Sequence, residues 1–65
     1  MKLIIDLGGV EDYEGLRDAV NSRGLKIRNY CAEVRYIDIS NITLSELGSI
    51  TLALLECQCK IVALG

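Results

Sequence analysis

An internal echo narrows the fold of this chain more than any other feature. Ile5-Asp6-Leu7-Gly8-Gly9-Val10 returns 32 residues later as Ile37-Asp38-Ile39-Ser40-Asn41-Ile42, with Glu14 and Glu46 in the same register. Lys26-Ile27 returns as Lys60-Ile61 at a spacing of 34. Each copy reads as a strand that ends in Asp, a turn over small or polar residues and a helix, so the chain contains two similar β-α-β units.

At 65 residues the chain forms one domain, residues 1–65, and folding at this size buries only about 60% of the surface an unfolded chain exposes. Yet 51% of its residues are hydrophobic and its mean hydropathy is +0.33. So much apolar surface on so small a volume predicts self-association. Cys31, Cys57 and Cys59 are an odd set without a framework spacing and read as reduced thiols. Cys57-x-Cys59 supplies two thiolates where a closed zinc site needs four ligands, and the chain has no His. No metal and no cofactor are expected.

Net charge is −2 with a pI near 4.9, the wrong sign for non-specific phosphate binding. Acids gather in Glu11, Asp12, Glu14 and Asp18, and cations in Lys26, Arg28 and Arg35. No signal peptide pattern is present, and no apolar run approaches the roughly 20 residues of a membrane span. A cytoplasmic protein without membrane contact is expected.

Along the chain, alternation over Lys2 to Leu7 predicts a strand that stops at Gly8-Gly9. Tyr13, Leu16 and Val20 then recur at helical spacing, from about Val10 to Arg23, with Gly24 as the stop. Gly15 inside this helix suggests close approach of a neighbouring backbone. Leu25 to Tyr30 and Val34 to Ile39 read as two strands, with a reversal over Asn29-Tyr30-Cys31-Ala32 between them that rests on Asn29 and on the length needed to turn. Thr43-Leu44-Ser45-Glu46 is a capping box with Ile42 and Leu47 as its hydrophobic staple. Leu44, Leu47, Ile50, Leu54, Leu55 and Cys57 share one broad face of that helix, with Leu52 at its polar edge, and Lys60 to Leu64 forms a closing strand.

The order β-α-β-β-α-β predicts an α/β (α+β) two-layer sandwich of the split-βαβ, ferredoxin-like kind, both helices on one face of a four-stranded antiparallel sheet. The alternative is a three-stranded parallel β-α-β-α-β sheet with residues 25–39 as one strand and its lead-in. Topology also decides the chemistry. The antiparallel sheet separates Asp6 and Asp38, whereas a parallel one sets them side by side at the carboxyl edge where ligands bind.

Ile4 to Val10 resembles the first motif of haloacid-dehalogenase-like phosphotransferases, which implies Asp6 as a nucleophile in an Asp-dependent phosphatase fragment. The family's second acid is Gly8 here, and 65 residues do not hold its core. Tyr36 to Leu44 resembles the central strand and turn of STAS domains, the anti-sigma-factor antagonists. Its phosphorylatable Ser falls on Leu47, so the resemblance implies a regulatory domain without that acceptor. Gly8-Gly9 lacks the spacing and lysine of a phosphate loop. With no His and no Ser beside a base, a non-enzymatic protein is expected.

The pleat leaves one face of the sheet open. Leu3, Ile5, Leu7, Leu25, Ile27, Ile37, Ile39 and Ile61 point to the helices, leaving Ile4, Tyr30, Val34, Tyr36, Val62 and Leu64 uncovered beside Lys26 and Arg28. This face, together with the acidic helix of Glu11, Asp12, Glu14 and Asp18, is the predicted interaction surface. The expected partners are a second copy, as a homodimer, and another protein, in the manner of a small inhibitor or adaptor of a phage or mobile element. RNA is the alternative ligand of the same face, through Tyr36 and its flanking cations.

Overall fold

Alternating side chains make four five-residue strands and two amphipathic stretches make helices. The computed structural model describes residues 1–65, in the order β1 (Lys2–Asp6), α1 (Tyr13–Asn21), β2 (Ile27–Cys31), β3 (Val34–Asp38), α2 (Leu44–Glu56) and β4 (Lys60–Leu64). The strands form one antiparallel sheet in the order β2-β3-β1-β4. The parallel three-stranded alternative is therefore overturned, because residues 25–39 are a hairpin rather than one strand. The reversal falls at Ala32-Glu33, at the end of the expected segment, and Asn29 lies inside β2. Ala32 takes a φ of 44°, the left-handed conformation that two-residue hairpin loops use.

The echo is carried into the core almost residue for residue. Leu3, Ile5, Leu16, Val20, Ile37, Ile39, Ile50, Leu54 and Cys59 form one buried cluster, with Leu7, Val10, Leu25, Ile27, Ile42, Leu47, Cys57 and Ile61 packed against it. Leu16 and Ile50, Val20 and Leu54, Leu25 and Cys59, and Ile27 and Ile61 are each 34 apart; Ile5 and Ile37, and Leu7 and Ile39, are 32 apart. All eight sheet residues expected to face the helices belong to this set. The register carries the same symmetry. Ile27 lies opposite Ile37 just as Ile61 lies opposite Ile5, and the pseudo-dyad passes through the Ile4 and Tyr36 pair. The echo fails at Leu3, whose counterpart is Arg35. Arg35 closes the hairpin instead, its Nη1 donating to the carbonyls of Ala32 (2.6 Å) and Val34 (3.1 Å).

Both helices also stop in the same way. After α1, the amide of Gly24 donates to the Asn21 carbonyl and that of Leu25 to Val20; after α2, Gln58 donates to Leu55 and Cys59 to Leu54. These are paired Schellman bonds, in each case with an apolar residue folded back onto the last buried helical position. Gly24 and Gln58 hold the left-handed position with φ of 76° and 59°.

Three expectations about the helices are corrected. First, α1 begins at Tyr13 rather than Val10, because the Asp12 carboxylate accepts from the Gly15 amide at 2.9 Å and caps it there. Second, Gly15 is explained by that cap and not by a neighbouring backbone, since a Cβ on it would lie 2.9 Å from the Asp12 carboxyl carbon. Third, Leu44 and Leu55 are not buried: they are 87% and 58% exposed, and Leu52 is 58% exposed. The 13-residue α2 runs beyond the 9-residue α1 that packs beside it, so Leu44, in the first turn of α2, has nothing over it. Leu55 lies about 100° around the helix from the buried Leu54. The Glu14 and Glu46 match is likewise one of sequence only. Glu46 completes the capping box of α2 by accepting from the Thr43 amide at 3.1 Å, while the same place in α1 is Gly15.

The symmetric helix ends predict asymmetric stability effects. Gln58→Gly should raise stability by about 0.5–1 kcal/mol, because Gly takes a left-handed conformation without the penalty a side chain carries. Gly24→Ala should lower it by about 1 kcal/mol, and solely through its backbone, since no atom lies within 4 Å of the added Cβ. Urea unfolding of both variants checks the pair.

Candidate functional site

With both helices on one side, the other side of the sheet is built from the remaining alternation of each strand. Its central row reads Arg28, Tyr36, Ile4 and Ala63 across the four strands. At one end Lys2 lies opposite Asp38, with Lys26 one residue before β2; at the other Asp6 lies between Val34 and Lys60. Tyr30 and Tyr36 meet edge to face with ring centroids 6.4 Å apart. The Lys2 ammonium sits 4.7 Å above the Tyr36 ring, taking up a π face that a stacked base would need.

The open face therefore brings together Ile4, Tyr30, Val34, Tyr36 and Arg28, with Lys26 at its margin. Register shifts in β2 and β4 change the rest. Tyr30 and Val62 have no cross-strand partner at these irregularities, and each is more than half exposed. Beyond the shift in β4, Ala63 takes the place opposite Ile4, and Leu64 falls opposite the buried Leu3, in register with the helix side of the sheet. Period-two reading from Ile61 had set Val62 and Leu64 on the open face, and an unpaired residue in an edge strand inverts that phase. Reading for apolar side chains misses Lys2 and Lys60 on this face, and the inverted phase of β4 hides Ala63.

The four residues of the acidic set are all exposed, in differing local roles. Asp12 is occupied by its cap on Gly15, and Glu11 precedes the helix. Glu14 and Asp18 are exposed on α1, with Asp18 3.9 Å from Arg17 in the only ion pair of the molecule. The predicted basic group is divided. Arg35 lies opposite Ile5 on the helix side, whereas Lys26 and Arg28 line a cleft of about 390 Å³ with Arg23, Asp38, Asn41 and Glu46.

Asp6 and Asp38 lie at opposite ends of the antiparallel β1 and β3 pair. Each accepts from the amide two residues on, Asp6 from Gly8 at 2.8 Å and Asp38 from Ser40 at 3.0 Å. Asp38 also accepts from the Ser40 hydroxyl at 2.6 Å. That hydroxyl bond, reinforced by the amide, holds the Asp38 carboxyl below its ordinary value.

Cys59 is buried, its thiol donating to the Asp6 carbonyl at 3.7 Å. Burial, with smaller contributions from Cys57 and Asp6, pushes it up to about 11, so near neutrality it is a thiol. No three His, Cys, Asp or Glu side chains come together as a metal group. No helix is long and apolar enough to cross a membrane.

No family model, curated protein or solved structure matches this chain.

Two titration experiments follow. Ser40→Ala should move the Asp38 carboxyl back toward the usual carboxylate range in an NMR pH titration. A depressed carboxylate stabilises the fold above its unfolded value and loses that contribution as pH falls through its folded one. The stability gap between native chain and variant should therefore close in acid. For the thiols, the exposed Cys31 should react with a disulfide reagent at pH 8 in the folded protein, while Cys59 should react only on unfolding. A raised thiol stabilises the fold below its unfolded value, so that contribution should fade as pH rises toward 11.

Proposed function

We propose that this chain is a ferredoxin-like split-βαβ module that acts by binding rather than by catalysis, and that its open sheet face takes another protein surface, in the first place a second copy of itself. The observation that carries this reading is the central row of that face. Ile4 and Tyr36 stand on the pseudo-dyad with Ala63, Arg28 and Tyr30 around them, and neither helix covers them.

Charge supports a second copy as the occupant. Lys2 and Asp38 lie opposite one another on neighbouring central strands. Turning a second sheet about an axis along the strands sets β1 of one copy over β3 of the other, which faces Lys2 with Asp38 twice and Ile4 with Tyr36 twice. An isologous interface requires this kind of self-complementarity. Size supports it as well: the two broad dimensions of the molecule are 27 and 21 Å, room for the roughly 500 Å² per copy that the smallest specific interfaces bury.

Light scattering after size exclusion tests the reading. The native chain should elute at twice its 7.1 kDa mass. Tyr36→Asp should shift it to monomer with its circular dichroism unchanged, because an unpaired carboxylate would be buried in the seam. Ala63→Asp, opposite Ile4 in the edge strand, should do the same with less risk to the fold. A native chain that is monomeric at millimolar concentration overturns the homodimer.

A further inference from the structure

The cleft at the β2 end of the sheet has a composition unlike the rest of the surface. Three of the seven Lys and Arg residues, Arg23, Lys26 and Arg28, line it in a chain of net charge −2. None of the three belongs to an ion pair. Arg23 is held in place by its own fold, Nε donating to Ser49 Oγ at 3.1 Å and Nη1 to the Ala19 carbonyl at 2.7 Å, so its position is fixed before any ligand arrives. Asn41 adds a side-chain amide with no hydrogen-bond partner of its own.

Two carboxylates share the lining, and both are already turned to their own loops. Asp38 Oδ1 accepts from the Ser40 amide and hydroxyl, and Glu46 Oε1 accepts from the Thr43 amide. Their second oxygens remain as acceptors. The uncompensated charge of the cleft is thus positive, and its neutral and acidic groups can serve hydroxyls. At about 390 Å³ it exceeds what a bare phosphate fills and falls within the range of small-molecule sites.

We propose that this cleft binds a small phosphorylated polyol. Arg23, Lys26 and Arg28 take the phosphate, Arg28 with a planar donor pair and Arg23 through the Nη2 that its own hydrogen bonds leave free. Asn41, Asp38 and Glu46 take the hydroxyl groups. The proposal does not rest on the homodimer; because Arg28 and Asp38 border both the face and the cleft, the titration is repeated on the Tyr36→Asp variant, which should bind as the native chain does or more tightly.

The test uses the native chain, ¹⁵N-labelled, titrated with glycerol 3-phosphate at low ionic strength, with sodium chloride at matched ionic strength and glycerol as controls. Saturable shifts should be confined to the amides of residues 23–28 and 38–46. Lys26→Gln and Arg23→Gln should each weaken binding by about tenfold, the loss of one charge-assisted contact, while Lys60→Gln leaves it unchanged. Inorganic phosphate should bind more weakly than glycerol 3-phosphate, since it leaves the hydroxyl acceptors unused. Shifts that do not saturate, that chloride reproduces, that spread to Lys2 and Lys60, or that survive both variants overturn the site. Equal affinity for inorganic phosphate overturns the polyol.

Discussion

The antiparallel pairing of β1 with β3 is the contact on which everything else in this molecule depends. These two strands are the centre of the sheet, and they come from opposite halves of the chain, so the entropy of closing that long loop must be met when they meet. Ile5 and Ile37 lie beneath the pairing and are wholly buried, while Ile4 and Tyr36 lie above it on the open side. Once the pair is made, each helix has only one face on which to pack and each edge strand has one free edge to join. The same pairing sends Asp6 and Asp38 to opposite ends, which turns two suggestive carboxylates into two local turn acceptors.

Most of the fold was legible in the echo because the echo is a list of core positions. Ile5 and Ile37, Val20 and Leu54, and Ile27 and Ile61 recur at spacings that differ by two, and the two extra residues lie between strand and helix, 13 positions from Ile37 to Ile50 against 11 from Ile5 to Leu16. What was illegible depends on contacts rather than on period. Nothing in a helical wheel tells that Leu44 lacks a covering neighbour, since that follows from the shortness of α1, whereas Leu55 lies at the margin of the buried face, a turn of about 100° from Leu54. Gly15 was legible as an anomaly, but its cause, the carboxylate of Asp12, lies three residues away and needed the cap geometry.

The candidate site was half legible for a similar reason. Alternation sets Ile4, Val34, Tyr36 and Arg28 as neighbours on one face, because the central strands are regular and Arg28 precedes the shift in β2. In the edge strands, register shifts at Tyr30 and Val62 break the period, and Leu64 changes sides as a result. Such irregularities suit edge strands, where they discourage open-ended pairing with other chains. Arg23 was readable as the cation that ends a helix. Its place beside Lys26 and Arg28 depends on how α1 returns to the sheet through Gly24. Function on this account divides between a mixed apolar and charged sheet face suited to a second copy and a polar cleft at one corner.

The most direct measurement is a set of cross-strand nuclear Overhauser effects in the labelled protein. An antiparallel centre predicts contacts linking Lys2 with Asp38, Ile4 with Tyr36 and Asp6 with Val34. Contacts linking Lys2 with Val34 and Asp6 with Asp38 would mean parallel central strands, and with them the open face, the pseudo-dyad and the separation of the two carboxylates would all be wrong.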